Sequence, residues 1–492
     1  MNAEEAAKFE ELLNPRGIAI IGATENPMSG GYSFIRAYLT STYPQDKIYP
    51  INPKRNEVFG LKAYPNLQSI PYPVDYAIIG IPKEIILETL ESCVEKGVKL
   101  VHIFTAGFSE LVGYKEEGKK LEQAMSQITK GKLRILGPNC MGIYIPKNGL
   151  VLAAELPVGL ENSGKIAFVS QSGAFTHIFT IMSHYNGLKF SKMFSYGNGI
   201  DINCPEILEY LNEHDSDTEI IFQYLEGFRD KKTAKRYYKV LKNLKKPLIL
   251  LKGGLTEAGS RVTMSHTSSL AGTIEIYNSL IKQMGIIEVH SLQEALDALK
   301  LFYFCKPYPK GNRVGLIGGG GGNSVMIADI FARAGLKVPN LDRETESQIQ
   351  SWIGEQFING TISCNPIDLN AAGFDNRILK KVIKAFDDSP QIDVLVIFEN
   401  IDFLIGFAKK MKLEGLSKGF YRFFVRLKKK LKKNIIIISV PVIKEADVLA
   451  EAFEVEKLLF GAEIPVMNSN EGTANALAKL IQYTEFIKKN NL

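Results

Sequence analysis

The sequence predicts an α/β protein made of three successive units, each a parallel sheet flanked by helices. Three short apolar runs open these units: Ile18–Ile21, Lys165–Ser170 and Arg313–Ile317. A turn rich in Gly, Ser and Asn follows each run, and an amphipathic stretch follows each turn. Because neighbouring parallel strands need a crossover long enough for a helix, strands that alternate with helices indicate βαβ units. The length of 492 residues also exceeds what one compact core usually holds.

The first unit is predicted over residues 1–146 as a Rossmann-like sheet. Its first strand enters the turn GATENPMSGG and then a helix. The apolar run Tyr76–Ile81 precedes a helix around Glu84–Lys96, and two further runs, Leu100–Phe104 and Ile135–Leu136, supply the remaining strands. The last of these runs enters the turn GPNC.

Two flavodoxin-like, doubly wound units are predicted over residues 147–308 and 309–492. In the earlier one, the strands Glu219–Leu225 and Pro247–Lys252 flank the basic stretch Arg229–Lys246, which we interpret as a solvated helix. The Pro- and Lys-rich segment KPYPKGN is predicted to link the two units. The turn that opens the later unit resembles the turn that opens the earlier one, so the two are expected to be variations of one design.

Composition excludes several classes of protein. The chain is 45% hydrophobic and 23% charged, with a formal net charge of +6, and its basic residues are spread out without a nucleic-acid-binding motif. The five cysteines are far apart and form no C-x-x-C pair, which favours a reducing compartment. We find no signal peptide and no apolar run of about 18 residues that could span a bilayer. These observations predict a soluble, cytoplasmic protein.

Two turns between a strand and a helix are candidate anion sites. The turn that begins at Gly22 offers backbone N–H groups and a helix N-terminus, which suit a phosphate, although a plain tight turn fits the residues as well. It lacks the G-x-G-x-x-G fingerprint, so a nicotinamide-dependent oxidoreductase is disfavoured. The turn SQSGAF places the hydroxyls of Ser170 and Ser172 and the backbone of Gly173 where a helix begins. Ordinary N-capping by a serine is the alternative there.

His266 and Glu226 are the candidate reactive side chains. His266 lies in a segment rich in small and hydroxyl residues, GGLTEAGSRVTMSHTSS, which predicts a long flexible loop. A neutral imidazole displayed there could act as a nucleophile, or it could be a loop histidine without a function. Glu226 follows a strand, where ligands collect in open α/β sheets. It could orient an imidazole, or it could be an ordinary exposed glutamate.

Each of three other features has a structural and a functional interpretation. The basic run Lys409–Lys433 is expected to be a solvated helix face, with docking to an acidic partner or a membrane surface as the alternative. The run Gly318–Gly322 could bind a phosphate or could let a helix pack close to a strand. Cys140 is expected to be structural and not a nucleophile.

Seven segments, in order, resemble the α subunit, or α-like half, of ADP-forming acetyl-CoA synthetases, and more distantly the α subunit of succinyl-CoA synthetase. They are LLNPRGIAIIGATENP, YPINPKRNEVFGLKAYPNL, LVHIFTAGFSE, RILGPNCMGIY, GKIAFVSQSGA, YLEGFRD and SHTSSLAG. The resemblance runs from the N-terminus to about Lys310. It continues more loosely through NRVGLIGGGGGNSVMIADIFARAGL and NPIDL.

The resemblance implies a function for each candidate site. The first unit would bind coenzyme A through the turn Gly22, Ala23 and Thr24, through Lys54, and through the strand end Phe104, Thr105 and Ala106, with Asn139 and Cys140 near the thiol end. His266 would be the phosphorylated histidine and Glu226 its carboxylate partner, with Ser170, Gln171, Ser172 and Gly173 as the phosphate cradle. No metal is implied on this half, since Mg²⁺ would accompany ATP or ADP.

The resemblance also implies a partner. No G-x-x-x-x-G-K-[ST] motif and no ATP-grasp segment is found in the sequence, so the nucleotide site is expected on a separate ATP-grasp β subunit of a hetero-oligomer. Leu255, Phe175 and His177 differ from the family pattern, which leaves the acyl group open. The alternative function is a catalytically silent protein that binds CoA or acyl-CoA and acts in regulation.

Overall fold

The computed structural model of the chain describes residues 1–111, 113–152, 162–267, 274–353, 364–369, 372–373, 375–413 and 415–490, with only the backbone described at 264–267, 274–276, 278 and 416. The described chain divides into two compact units, Met1–Leu292 and Gln293–Leu492. Parallel strands alternate with helices in both units, so the predicted α/β class is confirmed. Within the described part of the chain, none of the helices has the length and apolarity that crossing a membrane requires.

The elements of the first unit follow the predicted rhythm. Its strands are β1 (Ile18–Ile21), β2 (Ile48–Ile51), β3 (Glu57–Val58), β4 (Leu61–Lys62), β5 (Tyr76–Ile79), β6 (Leu100–Ile103), β7 (Arg134–Leu136), β8 (Gly142–Tyr144), β9 (Ile166–Ser170), β10 (Phe190–Ser195), β11 (Ile220–Leu225), β12 (Leu248–Lys252) and β13 (Ile287–Val289). Its helices are α1 (Ala3–Leu12), α2 (Gly30–Leu39), α3 (Ile86–Lys96), α4 (Lys115–Thr129), α5 (Gly173–Tyr185), α6 (Cys204–Glu213), α7 (Lys231–Lys242), α8 (Glu257–Thr267) and α9 (Ile274–Gln283). Short 3₁₀ turns occupy Gln45–Lys47, Lys83–Ile85 and Pro146–Asn148.

Two sheets form the first unit. The five strands of one run in the order β2-β1-β5-β6-β7, and all their pairings are parallel. The other has the order β13-β12-β11-β9-β10-β8, in which only β8 is antiparallel to its neighbour. Strands such as β1, β5 and β9 are buried at every residue, as expected when helices cover both faces of a parallel sheet.

The two sheets share one hydrophobic core. Phe9 of α1 lies with its ring centroid 4.9 Å from that of Tyr210 in α6 and 6.3 Å from that of Phe194 in β10. In addition, β8 lies within the predicted first unit (1–146) but pairs with β10 of the second sheet. The sequence therefore predicts both sheets, but the structure joins them through α1 and β8. The three domain ranges themselves stay a prediction.

The second unit contains a third sheet. Its strands, β14 (Val314–Gly318), β15 (Ile367–Asp368), β16 (Val394–Phe398), β17 (Asn434–Ile438) and β18 (Val466–Met467), pair in parallel in the order β15-β14-β16-β17-β18. The helices are α10 (Leu292–Phe304), α11 (Gly321–Arg333), α12 (Arg343–Ile353), α13 (Asn376–Asp388), α14 (Ile401–Lys410), α15 (Leu416–Lys428), α16 (Ala446–Gly461) and α17 (Asn470–Lys489). The basic run Lys409–Lys433 thus spans the end of α14, helix α15 and the approach to β17.

The segment before His266 differs from its prediction. The structure has a helix, α8, where a long flexible loop was expected, and His266 lies within it. Thr256 caps this helix, because its hydroxyl accepts the N–H of Gly259 at 3.0 Å. An ion pair of 2.8 Å between Glu257 and Arg261, one turn apart, supports the same turn. Local capping and charge pairing therefore outweigh the low helix propensity of the small residues.

Candidate functional site

In the turn after β1, the backbone of Gly22 lies close to the backbone of two other segments, at Gly80 and Gly31. Gly22 has φ = +87°, and a Cβ on it would lie 2.8 Å from the carbonyl oxygen of Gly80, which follows β5. Gly31 lies in the first turn of α2, and a Cβ on Gly31 would collide with the carbonyl of Gly22. A Cβ on Gly30 would lie 2.7 Å from the ring of Phe104. The N-terminus of α2 thus lies directly over the ends of β1 and β5.

The predicted CoA-binding residues meet at this edge of the sheet. Asn52 donates its side-chain N–H to the carbonyl of Ala23 at 2.9 Å and accepts the backbone N–H of Lys54, also at 2.9 Å. The hydroxyl of Thr24 accepts the N–H of Asn26 at 3.2 Å, which shapes the turn. The side chain of Lys54 is exposed beside it. Sequence analysis named Lys54 and missed Asn52, although the NPK motif contains both.

The strand ends of β6 and β7 complete this surface. The hydroxyl of Thr105 donates to the carbonyl of Ile81 at 2.6 Å, and the N–H of Asn139 donates to the carbonyl of Thr105 at 3.0 Å. Ala106 is exposed beside them. Asn139 itself has φ = +59°, a conformation that asparagine tolerates better than most residues. These contacts place Asn139 against the predicted strand end.

Cys140 points into the protein. The residue is 2% exposed, and its thiol donates to the carbonyl of Ile103 at 3.7 Å. Burial raises the pKa of the Cys140 thiol, which disfavours the thiolate that a nucleophile would need. Its carbonyl lies 3.0 Å from Nε2 of the buried His102. The residue therefore supports the GPNC turn from within the core, as expected of a structural cysteine.

The turn SQSG forms the N-terminus of α5. Ser172 is the N-cap, and its hydroxyl accepts the N–H of Phe175 at 3.4 Å. The hydroxyl of Ser170 donates to the carbonyl of Ser172 at 2.7 Å and accepts the N–H of the same residue at 3.2 Å. Ser172 therefore caps the helix, and the binding of an anion at the positive end of this helix dipole stays a prediction.

Gln171 joins this turn to Glu226. Its side-chain oxygen accepts the backbone N–H of Glu226 at 2.9 Å and that of Gly227 at 3.2 Å. Oε1 of Glu226 accepts the hydroxyl of Tyr224 at 3.0 Å, and the ring of Tyr224 stacks on Phe175 with centroids 4.3 Å apart. Glu226 is 9% exposed, so the alternative of an ordinary exposed glutamate is wrong. The predicted cradle and the predicted carboxylate therefore lie side by side.

Lys252 is a residue of this site that sequence analysis missed. Its ammonium donates to the carbonyl of Glu226 at 2.6 Å and also to the carbonyl of Gly253. Burial lowers the pKa of Lys252 to about 8, and the charge of Glu226 opposes that shift. The signal was present in the sequence, because Lys252 is the one charged residue of the strand PLILLK.

Arg229 and Glu122 form a second connection. Glu122 is fully buried, and its carboxylate accepts Nη1 of Arg229 at 2.6 Å, the hydroxyl of Ser109 at 2.6 Å and the side chain of Asn198 at 2.9 Å. Asn198 also donates to Glu110 at 2.8 Å. This network runs from the turn after β11 to the turn after β6. It therefore links the side of the predicted phosphate cradle to the side of the predicted CoA-binding residues.

Met141 brings the two predicted sites into contact. It directly follows Cys140, and its backbone N–H donates to the hydroxyl of Ser195 at 3.0 Å. A Cβ on Gly173 would lie 2.7 Å from Cγ of Met141, so the start of α5 packs on this residue. The side chain of His266 lies outside the described residues, so its relation to Glu226 stays a prediction.

The described residues do not gather as a metal centre would. No group of three or more His, Cys, Asp or Glu side chains among them is arranged to hold a metal ion. The site offers backbone N–H groups at two helix N-termini and the ammonium groups of Lys54 and Lys252. Such a set suits phosphate-containing ligands.

Two family profiles match the chain between residues 16 and 302. Residues 16–146 match the CoA binding domain, and residues 163–302 match the succinyl-CoA ligase like flavodoxin domain. These ranges correspond to the first sheet with its turn at Gly22 and to the second sheet with the predicted cradle at Ser170–Gly173.

Known relatives extend the likeness over the whole chain. The α subunit of acetate–CoA ligase [ADP-forming] II of Pyrococcus furiosus is 36% identical over 414 residues, which cover 84% of this chain and 86% of the relative. The 4-hydroxybutyrate–CoA ligase [ADP-forming] of Nitrosopumilus maritimus is 29% identical, with 97% of this chain and 64% of the relative covered. The acetate–CoA ligase [ADP-forming] of Methanocaldococcus jannaschii is 36% identical over 72% of this chain, which spans 48% of that longer relative.

A solved structure has the same fold. The acetyl-coenzyme A synthetase 1 of Ca. Korarchaeum cryptofilum, solved in complex with phosphate and ADP, matches with a TM-score of 0.80 and 28% identity. The match covers 98% of this chain and 99% of that one.

Proposed function

This chain belongs to the family of ADP-forming acetate–CoA ligase α subunits, and from that premise we propose that it binds coenzyme A and carries the phosphohistidine of an acyl-CoA synthetase. The overall reaction converts acyl-CoA, phosphate and ADP into a carboxylic acid, CoA and ATP, and it is reversible. The observation that carries the proposal is the pairing of Gln171 with Glu226, which holds a buried carboxylate beside a helix N-terminus.

The first step takes place between the two parts of the site. A phosphate oxygen attacks the thioester carbon, the C–S bond breaks, and CoA leaves as a thiolate that takes up a proton. The products are an acyl phosphate and CoA. The N-terminus of α5 supports this step, because roughly half a positive charge collects there and offsets the charge of phosphate. The contact between Met141 and Gly173 keeps this helix end beside the GPNC turn.

The second step transfers the phosphoryl group to His266. A ring nitrogen attacks phosphorus, the bond between phosphorus and the acyl oxygen breaks, and the carboxylate leaves. Glu226 would accept the N–H of the other ring nitrogen and stabilise the positive charge that forms on the ring. In the last step an oxygen of the ADP β-phosphate attacks phosphorus, the P–N bond breaks, and ATP forms.

The proposed reaction also needs a second subunit that binds the nucleotide. Relatives of this chain are named α subunits, which implies a second subunit. We propose that this is an ATP-grasp β subunit, that it binds the nucleotide with its Mg²⁺, and that the assembly is a cytoplasmic hetero-oligomer.

Intact-mass analysis tests the phosphohistidine. The chain is incubated with acetyl-CoA and inorganic phosphate, alone and with its candidate β subunit, beside His266→Ala and the control His214→Ala. An added phosphoryl group that is acid-labile, alkali-stable and absent only in His266→Ala is expected. If acyl-CoAs bind but no phosphoryl group appears with any of them, the alternative of a silent CoA-binding regulatory protein replaces the proposal.

A further inference from the structure

Asn198, in the turn after β10, contacts both turns at the edge of the predicted CoA site. Its side-chain Nδ2 donates to Oε2 of Glu110 at 2.8 Å and to Oε1 of Glu122 at 2.9 Å. Its backbone N–H donates to the carbonyl of Pro138, in the GPNC turn, at 3.0 Å. A Cβ on the neighbouring Gly197 would collide with the same carbonyl, so this turn of the second sheet packs directly on the GPNC turn of the first.

Glu110 shapes the turn after β6, directly after the predicted CoA-binding residue Ala106. Its Oε1 accepts the backbone N–H of Gly107 at 2.6 Å, and its Oε2 accepts that of Phe108 at 3.1 Å. Because Asn198 also donates to Oε2, the carboxylate that fixes these two N–H groups is itself held from the second sheet. The shape of a predicted CoA-binding turn in one sheet thus depends on a side chain of the other.

The type of residue at position 198 matters because this residue lies between two carboxylates. Glu122 is fully buried and also accepts Nη1 of Arg229 at 2.6 Å, whereas Glu110 is half-buried. An amide nitrogen has two hydrogens, so Asn198 can satisfy one oxygen of each carboxylate without adding a charge. An ionised carboxylate at this position could only accept, and it would place a third negative charge beside the predicted site of a phosphate-containing ligand.

We propose that Asn198 is a positioning residue for coenzyme A. Acting through Glu110, its side chain holds the turn at residues 106–108 in the form that binds the ligand. This inference rests on the proposed function, since it assumes that CoA binds at the ends of β6 and β7. It goes beyond that function because it gives the second sheet, which carries the predicted phosphate cradle, a part in the binding of CoA by the first.

Calorimetric titration with CoA tests the inference on Asn198→Asp, a substitution of nearly equal shape. At pH 8 the variant should bind CoA about tenfold more weakly than the wild type, the usual effect of losing a hydrogen bond to a charged group. The ratio of the two dissociation constants should fall toward one between about pH 8 and about pH 5.5, because crowded carboxyls take up a proton and a protonated carboxyl can donate. The ratio cancels the titration of CoA itself.

Asn243→Asp is the matched control for the same chemical change. The amide of Asn243 donates to the carbonyl of Lys239 at 3.0 Å, at the end of α7. This variant should bind CoA as the wild type does at every pH.

An exchange of the two groups separates positioning from loss of structure. In the double variant Asn198→Asp with Glu110→Gln, the amide at position 110 can donate to the carboxylate at position 198, while its oxygen still accepts the N–H of Gly107. Most of the CoA affinity should therefore return at pH 8. Acetyl phosphate enters the proposed reaction after CoA has left, so it should phosphorylate Asn198→Asp at about the wild-type rate.

Failure of this inference and failure of the proposed function give different results. Equal CoA affinities in Asn198→Asp and wild type, or a double variant no better than the single one, would overturn the inference. Loss of the reaction with acetyl phosphate along with CoA binding would assign Asn198 a general structural role and overturn it as well. A wild type that does not bind CoA would refute the proposed function and this inference together. If the wild type binds CoA but acetyl phosphate does not phosphorylate it, the proposed phosphohistidine fails, and the titrations still decide on Asn198.

Discussion

The side-chain oxygen of Gln171 accepts the backbone N–H of Glu226 at 2.9 Å. Gln171 begins the turn into α5, whereas Glu226 follows β11, so this bond fixes two strand-end turns against each other. Lys252 supports the second turn from the other side through the carbonyl of Glu226 at 2.6 Å. The backbone of Glu226 is thus held by Gln171 and Lys252, and its carboxylate oxygen Oε1 accepts the hydroxyl of Tyr224 at 3.0 Å.

Replacement of Glu226 by Gln should slow the formation of phosphohistidine by about 100-fold, a typical contribution of a positioned acid–base group. The amide keeps the shape of the side chain but cannot stabilise the charge that develops on His266. Single-turnover phosphorylation by acetyl-CoA and phosphate measures the effect. Glu219→Gln, just before the same strand and paired with Lys165 at 2.6 Å, is the control. A wild-type rate in Glu226→Gln would remove Glu226 from the mechanism.

Lys252 should make phosphohistidine formation depend on pH. Burial lowers the pKa of Lys252 to about 8, so its ammonium loses a proton as the pH rises through about 8. The hydrogen bonds to Glu226 and Gly253 then weaken, and the wild-type rate should fall. Lys252→Arg keeps its charge at high pH and should lack this fall, whereas Lys252→Met should be slow at every pH. Single-turnover rates from pH 6.5 to 9.5 check this, and identical profiles for wild type and Lys252→Arg would contradict it.

Removing only one partner of the pair of Arg229 with Glu122 should destabilise the protein strongly. Removal of Arg229 leaves a fully buried carboxylate without its cation, so Arg229→Ala should lower the free energy of unfolding by about 2–4 kcal/mol. The double variant Arg229→Met with Glu122→Gln should recover most of the loss, because no buried charge remains. Denaturant unfolding of the single and double variants measures this. Equal losses in both would mean that packing, and not charge, determines the effect.

The close contact of Gly31 with Gly22 should leave no space for a side chain at position 31. A Cβ on Gly31 collides with the carbonyl of Gly22, so Gly31→Ala must push α2 away from the end of β1. We expect a loss of about 1–3 kcal/mol in stability and a weakened affinity for CoA. Gly419→Ala, inside α15 with open space around its Cβ, should be neutral or slightly stabilising. Calorimetric titration with CoA and thermal unfolding check both variants.

Glu399 should make the stability of the second unit depend on pH. Burial raises the pKa of Glu399 to about 7, above the value of about 4.3 for an unfolded chain. Between these two values the folded state binds more protons than the unfolded state, so the free energy of unfolding falls as the pH rises from about 4.3 to 7. Glu399→Gln should therefore be more stable than the wild type by about 1–3 kcal/mol at pH 8, and the difference should shrink as the pH falls toward about 4.3.

The test for Glu399 is denaturant unfolding of both proteins from pH 5 to 9. Glu445→Gln, an exposed position in the same unit, is the control and should show no such trend. A difference between Glu399→Gln and wild type that does not change with pH would show that the carboxyl of Glu399 titrates as it does in an unfolded chain.

The sequence predicted the strands and the turns of the candidate site because both depend on local patterns. The apolar run Ile18–Ile21 became β1 with the same bounds, and the basic stretch Arg229–Lys246 contains α7. Ser172 became an N-cap, as serine does before a helix. A local prediction that failed is the loop around His266, where Thr256 and the pair of Glu257 with Arg261 support a helix.

By itself the sequence determined the α/β class and the positions of the Gly- and Ser-rich turns, and it named Glu226 and Gln171 as candidate residues of the site. Only the tertiary structure decided which of these residues meet. The pairing of β8 with β10, the packing of Met141 on Gly173 and the reach of Lys252 to Glu226 all join segments far apart in the chain. Strand periodicity and turn composition report on neighbours in sequence, whereas these contacts depend on sheet order and on the burial of shared apolar faces.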